Sequence, residues 1–351
     1  MLKAGLIGIG AMGSGHLDNF MRLKKEKSDS INLIAVCDID ESKFKNNQKI
    51  EGNVEGVGGG GGVDFSSVNC YTSVDEMLGK EELDFVVIAL PTYLHCEYTV
   101  KCLNKGLHVL CEKPMALNPE QCKQMIDAAN KNNTKLMIGH CLRFWGQYEE
   151  TKKIIDSGKY GKPVAAYFFR GGGTPAWSYN NWLLKRECGG GALLDQHVHD
   201  VDTINYFFGM PKAVSALGSI LYDGSGYDSV TAQYIYDEPK AINAQDDWAL
   251  ANGGFSMVFR VNFERGTVIM GENGFIMAGR GKNAQAENEK PFQPEYDKEN
   301  AYYKEILYFA DCIINNKPVL INPPESSRDT IRIVAAEIES ADNNGAVVNI
   351  K

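Results

Sequence analysis

The 351-residue chain is short of several things, and each shortage excludes a class of protein. No apolar run approaches the ~20 residues a membrane-spanning helix needs. Lys and Arg number 36 against 45 Asp and Glu, so the basic face that nucleic acid demands is missing from a chain of net charge −9. No block of like charge is long enough to act as an interaction tail. The nine cysteines, at 37, 70, 96, 102, 111, 122, 141, 188 and 312, are odd in number and never spaced CxxC. That usage argues against a zinc framework and fits free thiols in a reducing compartment. The opening MLKAGLIGIGAMGSG places a lysine before an apolar stretch, but glycines interrupt it and no small-residue cleavage site follows, so a signal peptide is not expected. The expectation is a soluble, cytoplasmic protein with neither nucleic acid nor membrane as partner.

What is present is a change of rhythm. At ~100–200 residues per domain, the length suggests two domains. In the first, the short apolar runs LKAGLIGIG, INLIAVCDID, DFVVIAL, LHVLCEK and KLMIGHCLRF alternate with amphipathic stretches such as LHCEYTVKCLNKG and PEQCKQMIDAANKNN. Alternation of this kind gives βαβ units and a parallel sheet covered on both faces. After about Gly158 the pattern becomes strand-like with glycine turns: PVAAYFFRGG, AVSALGSILY, GFSMVFRVNF and GTVIMGENGFIMAG. The fold class read from this is α/β, an N-terminal doubly wound parallel sheet followed by an α+β domain with a large, mainly antiparallel open sheet. The boundary is placed at residue 121, giving domains 1–121 and 122–351. The glycine-rich Val54–Phe65 leads into no clear helix and reads as a linker.

Gly8-Ile9-Gly10-Ala11-Met12-Gly13 is a GxGxxG directly after an apolar strand and at the start of a helix. Gly8 suits a tight turn, Gly10 lets backbone approach a pyrophosphate, and Gly13 lets helix and strand pack closely. The helix N-terminus adds free N–H groups and a positive dipole end. The second strand ends in VCDID, which puts Asp38 where a carboxylate would accept the adenosine ribose hydroxyls and repel a 2′-phosphate. The cofactor expected is NAD in preference to NADP.

Carboxyl ends of parallel strands are where open α/β sheets hold ligands. LHVLCEKPMAL puts Glu112, Lys113 and Pro114 at such an end, and the proline fixes Lys113 in an extended conformation. Neighbouring loops carry Thr92 and His95 in ALPTYLH, and His140 and Arg143 in GHCLRF.

A GxGxxG start, an Asp-ended second strand, PTYLH, EKP, GGGALLD followed by histidine, and AYYKEILYFADCI at 301–313 resemble, in this order, the glucose-fructose oxidoreductase/inositol dehydrogenase (Gfo/Idh/MocA) family. The resemblance spans nearly the whole chain. It implies a Rossmann domain followed by an α+β domain whose open sheet commonly forms a subunit interface, hence a homo-oligomer. It also implies NAD- or NADP-dependent oxidation of sugars, inositols and related polyols, with a minority of members using tightly held NAD for redox-neutral steps. By position, Lys113 is similar to the family's active-site lysine, and Asp195 and His199 to its carboxylate and histidine. Thr92, His95, Glu112, His140 and Arg143 fall at cofactor-side positions.

GGGALLDQHVHDVD, 189–202, decides between a metal cluster and an acid/base pair. Leu194, Val198, Val201, Asn205 and Phe208 keep a helical period, and Gly209 with Pro211 stops it. On one continuous helix Asp195, His199 and Asp202 share a side, while His197 is rotated away from His199. Two ligands at i, i+4 are too few for a catalytic zinc unless His95 and His140 join them, so no metal ligand is assigned. The acid/base reading uses what is there: His199 accepts a hydroxyl proton and Asp195 orients it. His197 receives no role. The Gly189–Gly191 run suits either close backbone approach at a cleft or a plain helix start. The aromatic loop at 171–187 offers Trp177, Tyr179 and Trp182 as a sugar platform, with local packing as the competing use; Tyr302 and Tyr303 share that ambiguity.

The function expected is an NAD-dependent oxidoreductase acting on a secondary alcohol of a sugar, inositol or sugar conjugate, glycoside 3-oxidation included. Catalysis is assigned to Lys113, Asp195 and His199, and substrate contact to these with Trp177 and Trp182. The alternatives are a redox-neutral lyase or glycosidase with tightly bound NAD, a metal-dependent hydrolase using the His/Asp cluster, and a non-catalytic NAD sensor.

Overall fold

The computed structural model describes all of the chain except residues 27–28, 46–49, 52–57, 60–64, 252–253, 282 and 284. It packs as two compact units, Met1–Cys141 with Asn300–Arg328, and Leu142–Glu299 with Asp329–Lys351.

Unit one begins with β1 (Leu2–Ile7), α1 (Ala11–Lys25) and β2 (Ile31–Cys37). The two-residue strands β3 (Ile50–Glu51) and β4 (Gly58–Gly59) pair with each other; of the Val54–Phe65 linker, only Gly58, Gly59 and Phe65 lie within the described residues. Then follow β5 (Asn69–Tyr71), α2 (Val74–Lys80), β6 (Phe85–Ile88), α3 (Thr92–Asn104), β7 (His108–Glu112), α4 (Pro119–Lys131) and β8 (Leu136–Gly139). Six strands form one parallel sheet in the order β5-β2-β1-β6-β7-β8. β6 is FVVI, fully buried, as a strand covered on both faces requires. Helix starts obey local chemistry: Asn118 caps α4, its Oδ1 accepting the Gln121 N–H at 3.0 Å with Pro119 following, and Ser73 caps α2. Because α4 and β8 complete this sheet, unit one runs to Cys141, past the boundary read at residue 121.

Unit two contains α5 (Gly146–Ser157), β9 (Pro163–Gly171), α6 (Gly191–Asp195), α7 (Val198–Phe208) and the strands β10 (Ala213–Ser219), β11 (Ser229–Ile235), β12 (Ala241–Asp247), β13 (Ser256–Phe263), β14 (Gly266–Gly271) and β15 (Gly274–Gly279). Its eight-stranded sheet is antiparallel except where β12 runs parallel to β9, in the order β15-β14-β13-β9-β12-β11-β10-β16, β16 being Val348–Asn349. The inward side chains Phe168 and Phe259 meet Phe207 of α7 at ring distances of 6.4 and 6.2 Å.

Between β15 and β16 come α8 (Ala301–Ile314) and α9 (Pro324–Asp342). α8 belongs to unit one. Its Tyr303, Ile306, Phe309 and Ala310 join the core with Phe20 of α1 and Phe85 of β6, Phe309 lying edge-on to Phe85 at 5.9 Å.

Candidate functional site

The turn from β1 into α1 has the shape a dinucleotide requires. Gly8 sits at φ +93°, where a side chain is strained, and a Cβ there would lie 2.4 Å from the Ala89 carbonyl oxygen. A Cβ on Gly13 would strike the Gly8 carbonyl oxygen at 1.9 Å, so the close approach of helix to turn depends on its absence. At Gly10 a Cβ would meet nothing within 4 Å: this is the open face of the turn. α1 begins at Ala11 with no side-chain cap and no acidic residue in its first turn, which leaves its N–H groups and dipole for an anion. Two buried hydroxyl oxygens, Ser14 Oγ in α1 and Thr92 Oγ1 at the start of α3, have no hydrogen-bond partner among the described residues. Asp38 follows β2, where its carboxylate accepts the N–H of Ile9 at 2.7 Å and of Asp40 at 3.0 Å and pairs with Lys43 Nζ at 2.8 Å. Those three donors leave one of about four carboxylate lone-pair sites for a ribose hydroxyl. An open glycine turn, an uncapped helix and unfilled hydroxyls fit a dinucleotide.

Lys113, half-buried, stands just past β7, with a cis peptide to Pro114. Two buried side chains fix the backbone around it. Glu112 Oε2 accepts the Lys113 N–H at 3.2 Å, and its Oε1 lies 2.6 Å from His16 Nε2 of α1. Burial alone would raise the Glu112 pKa, but His16, Lys113 and these hydrogen bonds outweigh it and hold the carboxyl below its ordinary range. His95, on α3, has Nδ1 2.7 Å from the Pro114 carbonyl oxygen and Nε2 2.7 Å from that of Leu90. Burial depresses its basicity against the pull of both carbonyls. His140 is buried at the end of β8.

In unit two the helix read as continuous from Leu193 to Gly209 is two helices. α6 ends at Asp195, α7 starts at Val198, and the His197 N–H reaches back to the Ala192 carbonyl at 2.8 Å, a wider turn than the α-helical one. Gly190 and Gly191 lead into α6 with φ +75°; a Cβ on Gly191 would strike the Tyr227 backbone at 2.7 Å, so this run serves a helix start packed against the segment that precedes β11. Between Gly191 and Ile204 every residue is buried except Asp195 and His199. Asp202, read as sharing their side, is buried in a bidentate pair with Arg143, whose Nε and Nη2 donate to its Oδ2 and Oδ1 at 2.9 and 2.7 Å; Thr330 adds a hydrogen bond at 3.0 Å. Trp177 is 52% exposed, whereas Trp182 packs against the buried Leu183, Ala192 and Trp248.

Residues 2–140 match the family described as "Oxidoreductase family, NAD-binding Rossmann fold", and residues 148–276 match the GFO/IDH/MocA C-terminal domain. The chain belongs to the GFO/IDH/MocA oxidoreductase family. A 1,5-anhydro-D-fructose reductase of Ensifer adhaerens is 37% identical over 136 residues, 38% of this chain and 40% of that protein. A 2,7-anhydro-N-acetylneuraminate hydratase of Mediterraneibacter gnavus is 32% identical over 148 residues, 42% of this chain and 39% of the other. A levoglucosan dehydrogenase solved with NADH and L-sorbose shares the fold, with TM-score 0.83 at 18% identity over 100% of this chain and 99% of that one. The chain spans about half the length, or less, of the curated relatives it matches, between 39% and 54% in the first four.

Within this GFO/IDH/MocA chain several polar residues escaped the sequence reading. His16 and Lys43 are single residues inside α1 and after β2, with no motif to mark them. Glu305 of α8 is fully buried, and burial together with the Glu112 charge keeps its carboxyl protonated well above the ordinary range. Asn322 Nδ2 donates to the carbonyls of Ile138 and His140 at 3.0 and 3.2 Å and so steadies the end of β8. For Glu305 and Asn322 the only sequence signal is a charge or an amide beside apolar residues.

Proposed function

We propose that the chain oxidises or reduces a secondary alcohol of a sugar, inositol or sugar conjugate with NAD as its dinucleotide. The observation that carries this reading is that Asp195 and His199 are the two residues of 191–204 left partly exposed, a carboxylate and an imidazole on an otherwise buried segment. His199 takes the hydroxyl proton of the substrate, and Asp195 orients the imidazole or grips a neighbouring hydroxyl. Lys113 donates a hydrogen bond to the reacting oxygen, with its backbone held by Glu112 and His95. The turn at 8–13, Gly10 and the N-terminus of α1 above all, would hold the pyrophosphate, Asp38 the adenosine ribose, and the Thr92 hydroxyl another polar group of the dinucleotide. NAD, when bound, supplies the two-electron exchange. His140 remains a cofactor-side candidate, Arg143 acts as the counter-ion of Asp202, and exposed Trp177 is a better candidate for sugar contact than the packed Trp182. A reducing, cytoplasmic setting is supported by nine free cysteines, and self-association by the exposed Leu217 of β10 and Ile220 and Leu221 just after it.

The hydratase relative supports a second reading, in which retained NAD is restored within each turnover. A panel of inositols, free sugars and glycosides, run with NAD and with NADP and followed by both nicotinamide absorbance and product mass, separates the two. Net dehydrogenation changes both signals; a redox-neutral enzyme changes product mass alone. Lys113→Ala and His199→Ala should each lower turnover by about 10²-fold or more, on the scale of a lost acid/base group, with NAD binding intact. Near-normal turnover in either variant would remove the role assigned to it.

A further inference from the structure

His197, left without a role by its sequence, lies wholly inside unit two at the break between α6 and α7. Around it are Asp200 of α7 and Asp246 of β12, both buried, and one potential ligand atom from each of the three lies within 4.8 Å of the others. Each uses one polar atom on a neighbour. Asp200 Oδ1 accepts from Arg170 Nη2 at 2.9 Å, Asp246 Oδ1 from Gln196 Nε2 at 3.1 Å, and His197 Nε2 lies 3.2 Å from the Tyr234 hydroxyl and 3.7 Å from Glu337 Oε2. The second atom of each, Asp200 Oδ2, Asp246 Oδ2 and His197 Nδ1, has no hydrogen-bond partner among the described residues. Three orphaned polar atoms in one buried place cost several kcal/mol unless something fills them.

We propose that His197, Asp200 and Asp246 bind a divalent transition-metal ion of the zinc, manganese or cobalt class. One imidazole nitrogen and two carboxylate oxygens are the donors such an ion takes, with a water completing the shell. The surroundings suit a metal-bound histidine: its Nε2 lies 3.2 Å from the Tyr234 hydroxyl and 3.7 Å from the Glu337 carboxylate, and with the proton on Nε2 the Nδ1 lone pair is free to ligate. With its three ligands 0–2% exposed, the ion is structural. It ties the break before α7 to β12, and so positions the segment on which Asp195 and His199 stand.

The test is Co²⁺ titration of full-length, chelator-treated protein, followed by visible absorption and competed with Zn²⁺ and Mn²⁺. The expected result is saturable, stoichiometric binding and a raised melting temperature. His197→Ala and Asp246→Asn should abolish it, Glu337→Gln should weaken it roughly 10–100-fold, and His199→Ala should leave it unchanged. Absence of saturable binding to wild-type protein by all three ions overturns the proposal and leaves the orphaned atoms to protons. Binding that survives Asp246→Asn, or that is lost in His199→Ala, overturns it as well. If the ligand variants fail to fold, the wild-type titration and Glu337→Gln still decide.

Discussion

At the scale of single residues, the GxGxxG turn separates two demands that look alike in a motif. Gly13 is needed by the fold, because its missing side chain is what admits the Gly8 carbonyl oxygen. The fold makes no such demand of Gly10: its φ of −86° suits any residue, and a methyl there points into open space. Gly10→Ala should therefore leave stability within about 0.5 kcal/mol of wild type while weakening NAD by about tenfold or more, ~1.4 kcal/mol. Gly13→Ala should destabilise by about 1–3 kcal/mol as an overpacked contact. Paired melting curves and NAD titrations check both, and a Gly10→Ala protein with undiminished affinity would mean that the turn does not approach the dinucleotide. The motif was legible as a motif. So was the purpose of each glycine; what the sequence could not show is which atoms do the crowding, the Gly8 carbonyl oxygen at Gly13 and the Ala89 carbonyl oxygen at Gly8.

At the scale of elements, a buried pair, His16 with Glu112, joins α1 to the end of β7. Replacing His16 by Ala leaves the Glu112 carboxylate buried without its nearest partner, which should cost about 3–5 kcal/mol. The pH dependence has a definite sign. The folded pKa of Glu112 is depressed, so its contribution is complete above the ordinary glutamate value of ~4.3 and is lost as pH falls through the lower folded value. Urea denaturation of wild type and His16→Ala across pH 3 to 7 should show that acid-side loss in wild type only; equal slopes would assign the pair no energetic weight. Five strands of the six-stranded sheet of unit one were readable as buried apolar runs, whereas the short, largely exposed β5 (Asn69–Tyr71) went unread. In unit two β11 and β12 went unread, because SVTAQYI and AINAQDD carry few large apolar residues and owe their place to neighbours on both sides. The α6–α7 break hid for a similar reason. Its apolar period continues across residues 196–197, while the partners that Gln196 and His197 meet there, Asp246 and Glu337, are distant in sequence.

At the scale of the whole molecule, the chain leaves unit one at Cys141 and returns to it at Asn300. Length and rhythm show two domains but cannot show this return, because α8 carries an ordinary amphipathic pattern that would suit either unit. The core settles it: Tyr303, Ile306, Phe309 and Ala310 complete the cluster built on Phe20, Phe85, Leu110 and Met137. The first 141 residues therefore contain a complete parallel sheet with one part of its covering missing. Fully burying side chains of this kind contributes about 1.5–3 kcal/mol each, so α8 supplies a share comparable to the whole net stability of a domain, about 5–15 kcal/mol. A fragment of residues 1–141 should then lack a cooperative thermal transition, and joining residues 300–328 to it through a flexible linker should restore one together with NAD binding. In the full-length chain, Phe309→Ala should cost about 3–5 kcal/mol and lower the melting temperature of the NAD-binding unit. A cooperative, NAD-binding 1–141 fragment would instead make α8 an accessory to a core already sufficient without it.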